Sequence, residues 1–227
     1  MSDDLVIVKS LLVKMLNEMT SVSAQQPKQP SQPQPKPIDI KGIGFGIGEN
    51  PILGSESAKL IVVEFIDYQC SYCSEYTRVT FPEIKRQYID KGLIRYVVID
   101  QPLITMHPDA SKAAEASHCA QDQGKFWEMH DAMMANQSNL KDLTSYARAL
   151  NLNIVQFEEC LNTEKHREAV SRDMSLANRL GITGVPGFII GAVSEQAPGS
   201  VVGISIIRGA APFESFHDEI ESALKQR

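Results

Sequence analysis

Apolar residues open the chain at a 3-4-3-4 spacing: Leu5, Val8, Leu12, Met15 and Met19. That spacing keeps one stripe on one face and predicts a helix over residues 3–22. The stripe is also an a/d seam of fewer than three heptads, widened by Leu11 at g and Leu16 at e. Two readings stand. One is a self-associating parallel helix, with a trimer favoured because Leu at a and a β-branched residue at d lean away from dimers. Asp4 at g and Lys9 at e would then pair between neighbours. The other is a single amphipathic helix packed on its own domain. The pattern stops at residues 25–37, QQPKQPSQPQPKP, which hold five prolines and no large apolar side chain. Such a stretch is an extended, semi-rigid linker. The chain therefore divides into an N-terminal helix (1–24), a linker (25–41) and a main domain (42–227).

Within the main domain the alternation of Gly42-Ile43-Gly44-Phe45-Gly46-Ile47-Gly48 imitates a phosphate loop. No strand precedes it and no helix follows, so it reads as an edge strand or a lead-in loop. The unbroken apolar run Leu60-Ile61-Val62-Val63-Glu64-Phe65-Ile66 predicts a buried strand over 60–67. A helix over 70–90 follows, bent near Pro82, and then a strand over 93–99. A helical block spans about 107–180, with Gly124 as a stop between two helices. A hairpin (187–192, 201–207) and a helix (213–225) close the chain. The order β-α-β, helices, β-β-α is an α/β architecture with helices inserted between two halves.

Composition narrows the function more than the fold. The chain has 227 residues and a net charge of −6, which disfavours a nucleic-acid partner. No apolar run approaches the roughly 20 residues that span a bilayer. The opening Met1-Ser2-Asp3-Asp4 is acidic where a secretory signal is basic. The four cysteines, Cys70, Cys73, Cys119 and Cys160, suit an oxidising compartment.

The chemistry concentrates at Cys70-Ser71-Tyr72-Cys73, where the first strand gives way to a helix. Unpaired N–H groups at a helix N-terminus favour negative charge and lower the pKa of a thiol placed there. No second C-x-x-C and no His pair accompanies it, so redox chemistry is a better reading than half a zinc site. Cys70 is the expected nucleophile and Cys73, one turn on, the resolving thiol. Glu64 stands in the buried strand, where a carboxylate is costly unless neutralised or partnered. Cys119 and Cys160 form a second disulfide or stay as buried thiols. His107, His118 and His130 show no metal-binding spacing and read as surface or packing residues. Phe126 and Trp127 read as anchors of the helical block.

Three ordered motifs carry a resemblance over about residues 50–226. EFIDYQCSYC resembles the nucleophile strand and turn of the thioredoxin superfamily, within it the bacterial periplasmic DsbA-type thiol-disulfide oxidoreductases. AAEASHCAQDQGKFWEMHDAMM resembles their inserted helical domain, and TGVPGF their cis-proline loop. The resemblance implies a thioredoxin fold with a helical insertion and a periplasmic location, the export segment lying outside this chain. It implies unfolded or misoxidised proteins as substrates and a membrane redox partner that recycles the enzyme. No cofactor is needed beyond the Cys70–Cys73 pair, and no metal. Pro186 would be cis and lie against the sulfurs, with the Val185 backbone pairing with substrate beside Ser71 and Tyr72. Glu64 would exchange a proton with Cys73, unless it is a merely tolerated acid. Tyr72 votes for an isomerase or reductase and Val185 for a dithiol oxidase. Copper handling by the paired thiols and a peptide-binding scaffold are the remaining alternatives.

Overall fold

The computed structural model describes residues 38–226. The expected helix with Leu5, Val8, Leu12, Met15 and Met19, and most of the linker, lie outside the described residues.

Among the described residues, six strands form one sheet in the order β1-β6-β5-β3-β4-β2. They are β1 (Gly44–Gly46), β2 (Ile52–Leu53), β3 (Leu60–Ile66), β4 (Ile94–Asp100), β5 (Gly187–Val193) and β6 (Ser200–Arg208). β3 is central, parallel to β4 and antiparallel to β5. Every residue of β3 is buried, because both faces of the sheet are covered. Ile61, Val63 and Phe65 join one core, and Leu60, Val62 and Ile66 the other. An apolar run without alternation is what such a strand requires. β2, only two residues long, carries no readable alternation and was not foreseen.

After β3 comes α1 (Ser71–Val79), then α2 (Phe81–Ile84) and one π-helical turn (Lys85–Ile89). The expected bend falls at Thr80, where the chain restarts with Pro82 at the head of α2. A proline has no N–H to give the preceding turn, so a new first turn is the place that tolerates it. The helical block is α3 (Ala110–Gln121), α4 (Phe126–Ala135), α5 (Leu143–Ala149), α6 (Ile154–Asn162) and α7 (Arg167–Arg179). Gly124 takes a positive φ of 71° between α3 and α4, the left-handed conformation in which helices commonly stop. Leu176, Ala177 and Leu180, in and just after α7, pack on the face of Val63 and Phe65. α3 to α6 cover the opposite face with α1 and the last helix, α8 (Phe213–Lys225). The expected insertion is therefore two things: a bundle over one face, and a helix returning to the other.

One boundary is corrected. Ile40, assigned to the linker by composition, is only 2% exposed and belongs to the second core. Gly203 of β6 makes room for it, since a Cβ there would sit 2.6 Å from the Ile40 carbonyl oxygen. The packed body thus begins a few residues before Gly42.

Candidate active site

Cys70 is the N-cap of α1, in extended backbone. The turn that places it is built from its neighbours. The Cys70 N–H donates to the Asp67 carbonyl at 3.0 Å, and the N–H groups of Cys73 and Ser74 donate to the Cys70 carbonyl. The cis Val185–Pro186 peptide stands opposite, with the Cys70 sulfur 3.6 Å from the Val185 carbonyl oxygen. Ser71 and Tyr72 face solvent, Tyr72 with 62% of its surface exposed. Cys70 and Cys73 are free thiols, and Cys73 is the deeper of the two.

The two sulfurs are electrostatically unlike. The Cys70 pKa is lowered to about 6, chiefly because the Cys73 thiol donates to its sulfur. The backbone N–H groups of Cys73 and Tyr72 add to this, against burial and the Asp67 charge. A sulfur at the open end of a helix collects such donors without needing a cation. The Cys73 pKa is pushed well above the usual thiol range, first by burial, then by Cys70 and the Glu64 charge. The pair therefore holds one thiolate and one thiol near neutral pH.

Beneath it, Glu64 is 1% exposed. Burial raises its pKa to about 8, moderated by the Tyr96 hydroxyl. That hydroxyl donates to Glu64 Oε2 at 2.6 Å and lies 3.0 Å from the Tyr76 hydroxyl. Glu64 Oε1 is buried without a hydrogen-bonding partner among the described residues. A carboxyl so placed keeps its proton at neutral pH, and its neighbours leave one oxygen for another group.

Several supports were not legible in the sequence. Buried Asp67 accepts from the Gln69 N–H through one oxygen, and from the Leu103 N–H through the other, which also meets His107 Nδ1 at 2.8 Å. Gln69 clasps Asp109 with both ends of its amide. From the helical block, Gln137 donates to the carbonyls of Tyr68 and Cys70 at 2.8 and 2.9 Å. Ser74 donates to the Met134 carbonyl. These ties fix the cysteine turn from three directions. Only the D-x-Q pattern before Cys70, an Asx-turn signal, could have pointed to the first of them.

Away from this turn, Cys119 and Cys160 are joined by a disulfide, which staples α3 to α6. His118, read as a surface or packing residue, also holds a buried acid. It is buried, and its Nε2 meets Asp100 Oδ2 at 2.8 Å. Burial opposes its charge, but Asp100, Gln121 and Asp173 prevail and raise its pKa to about 9. Phe126 is buried and Trp127 packs partly buried against the same core.

Residues 47–201 match the family model described as Thioredoxin. The chain belongs to that family. Its fold is the DsbA-type thioredoxin fold. It is 29% identical to alpha-DsbA1 from Wolbachia pipientis, with a TM-score of 0.67, covering 79% of this chain and 93% of that one. Among curated proteins it is 31% identical to the probable disulfide bond formation protein D of Bacillus anthracis, over 64% of this chain and 71% of that protein. It is 33% identical to the Na(+)/H(+) antiporter NhaA 3 of Salinispora tropica over 68% of this chain. The chain spans only 23% of that antiporter's length.

Proposed function

We propose that this thioredoxin-family protein is a thiol-disulfide oxidoreductase acting on protein disulfides, working mainly as an isomerase or reductase. The observation that carries it is the asymmetric pair: a Cys70 thiol lowered to about 6 beside a Cys73 thiol raised well above the usual range. A low-pKa thiolate is the attacking group of thiol-disulfide exchange. Cys70 attacks a substrate disulfide, expelling one substrate thiolate and forming a mixed disulfide. Another substrate thiol resolves it in isomerisation, and Cys73 resolves it in reduction. In that last step Cys73 must lose its proton, and Glu64 takes it up in the fraction of molecules whose buried carboxyl is ionised, a fraction that grows as pH rises toward 8. Pro186, with Val185, Ser71 and Tyr72, forms the face on which an extended substrate segment lies, the Val185 backbone pairing with it. No cofactor enters the scheme.

The direction rests on what stabilises Cys70. Its stabilisation comes from uncharged donors, and the residue after Ser71 is Tyr72 rather than a cation. A thiolate held this way is moderately low, and the couple is a milder oxidant than the strongly oxidising DsbA at about −120 mV. The second reading, a dithiol oxidase, draws on Val185 before the cis proline and on the disulfide-formation name of the Bacillus relative.

We further infer a parallel oligomer, a trimer by preference, through residues 3–22, with the Pro-rich linker spacing the catalytic bodies. Unfolded or misoxidised proteins are the substrates, a membrane redox protein the recycling partner, and the periplasm the compartment. No described helix is long and apolar enough to cross a membrane. The deciding experiment pairs the reduction potential of the Cys70–Cys73 couple with turnover of a scrambled disulfide substrate. Rescue of the scrambled substrate with a potential well below about −120 mV supports the isomerase. A potential near about −120 mV with no rescue overturns it in favour of the oxidase.

A further inference from the structure

We propose that reduction of the second disulfide opens a zinc site, made by Cys119, Cys160 and His166 with Asp122 as the fourth ligand. The two sulfurs and an imidazole nitrogen of His166 lie within 4.8 Å of one another. His166 Nε2 is 2.9 Å from Asp122 Oδ2, and that oxygen is 3.7 Å from Cys160 Sγ. Four donors of the types zinc prefers, two sulfur, one nitrogen and one oxygen, therefore converge from α3, α6 and the turns that follow them. The spacing suits a tetrahedral ion. Bonds of about 2.3 Å to sulfur and about 2.0–2.2 Å to nitrogen and oxygen place neighbouring ligand atoms roughly 3.3–3.8 Å apart. His166 and Asp122 need to part by only a few tenths of an ångström, with the ion replacing the proton they now share.

The sulfurs must separate from bonding distance, and there is room for it. A cavity of about 400 Å³ is lined by Cys119, Asp122, Cys160 and Lys165, so rotation of the Cys160 side chain moves its sulfur into open space. The same opening admits an attacking thiolate. Lys165 Nζ holds Asp122 Oδ2 at 2.9 Å but is more than half exposed, so it swings away at little cost. The chemistry balances. An external dithiol gives two electrons and two protons, becoming a disulfide while Cys119 and Cys160 become thiols. Zinc then binds both sulfurs, His166 Nε2 and the Asp122 carboxylate, releasing the two thiol protons while the imidazole proton moves from Nε2 to Nδ1 through solvent. The consequence is that α3 and α6 remain stapled in both redox states, by sulfur–sulfur bonding in one and by metal in the other.

The test uses the full chain carrying C70S and C73S, so that no catalytic thiol contributes. The protein is reduced with excess dithiol, freed of it without oxygen, and titrated with Co²⁺ as a spectroscopic stand-in for Zn²⁺. The expected result is one Co²⁺ per chain with sulfur-to-cobalt charge transfer and tetrahedral visible bands, both abolished by Zn²⁺. The oxidised protein should show neither, and H166A should weaken binding at least tenfold. Oxygen and nitrogen sites such as Asp100, His118 and Asp173 give no sulfur charge transfer, so they cannot mimic the result. A melting curve guards against a reduced chain that is merely loosened: Zn²⁺ should raise its melting temperature and leave a C119A/C160A chain unmoved. Absence of sulfur charge transfer, undiminished binding in H166A, or a Zn²⁺ shift that persists without Cys119 and Cys160 overturns the proposal.

Discussion

At the residue scale, the site is a set of proton affinities set by placement. The Cys70 thiol is lowered to about 6, first by the hydrogen bond from Cys73. Removing that donor in Cys73→Ala should raise the Cys70 pKa toward the ordinary value of about 8.5. Alkylation rate against pH reads it, and an unchanged midpoint would show that the backbone donors suffice alone. Glu64 gives a second expectation, with the opposite sign of shift. Its pKa is raised from 4.5 to about 8 in the fold. The folded chain therefore keeps a proton that the unfolded chain loses, and this contribution to stability is complete below pH 4.5 and lost as pH rises toward 8. The loss is on the order of 5 kcal/mol by linkage. Glu64→Gln, neutral throughout, should flatten that part of the denaturation profile while slowing reduction of the mixed disulfide. A profile that keeps its slope in Glu64→Gln would assign the titration elsewhere.

At the element scale, two features hold the parts in register. β5 carries Gly191 where a Cβ would sit 2.3 Å from Val201 Cγ1 and 2.9 Å from the Val202 carbonyl oxygen. Gly191→Ala has to push β6 outward, and overpacking of this kind costs about 1–3 kcal/mol. Urea melts of the two chains measure it. The Cys119–Cys160 bond joins two helices through cysteines 41 residues apart. Closing a loop of that length is worth about 4 kcal/mol in the chain-entropy account. C119A/C160A should lose stability of that order under metal-free conditions while keeping a thiolate at Cys70, since the two sites share no described hydrogen bond. Loss of the low Cys70 pKa in that variant would mean that the bundle positions the turn through more than Gln137 and Ser74.

For the whole molecule, charge and assembly make separate predictions. His118 and Glu64 both bind protons more tightly in the fold, the former with a pKa raised from 6.5 to about 9. The His118 contribution is complete below pH 6.5 and lost as pH rises through 9. Cys70 opposes them in the reduced protein, because its lowered pKa favours the fold increasingly between 6 and 9. With Cys70 tied up in its disulfide, the opposition vanishes. Oxidised protein should therefore lose stability from pH 6 to 9 more steeply than reduced protein does, as thermal melts across that range will show. Assembly is read by light scattering. Deleting residues 1–37 should convert an oligomer into a monomer that still cycles its disulfide but no longer rescues scrambled substrates. A monomeric full-length chain would remove the oligomer and weaken the isomerase reading with it.

Local chemistry is what the sequence by itself determined. The unbroken apolar run of β3, the turn residues before Cys70, the stop at Gly124 and the span Phe213–Lys225 of the last helix are set by neighbours a few positions away. Periodicity and backbone rules see that far. The motifs that carry the thioredoxin resemblance are local in the same sense. Contacts between distant segments were decided only by the tertiary structure. Tyr96 reaches Glu64 across adjacent strands, Gln137 reaches Cys70 from the bundle, and Ile40 is buried because β6 offers it a glycine. His118 carries no metal-like spacing in the chain, yet the fold seats it against Asp100. Burial decides the proton affinities of Glu64 and Cys73. Burial is a property of everything packed around a group, and no window of sequence contains it.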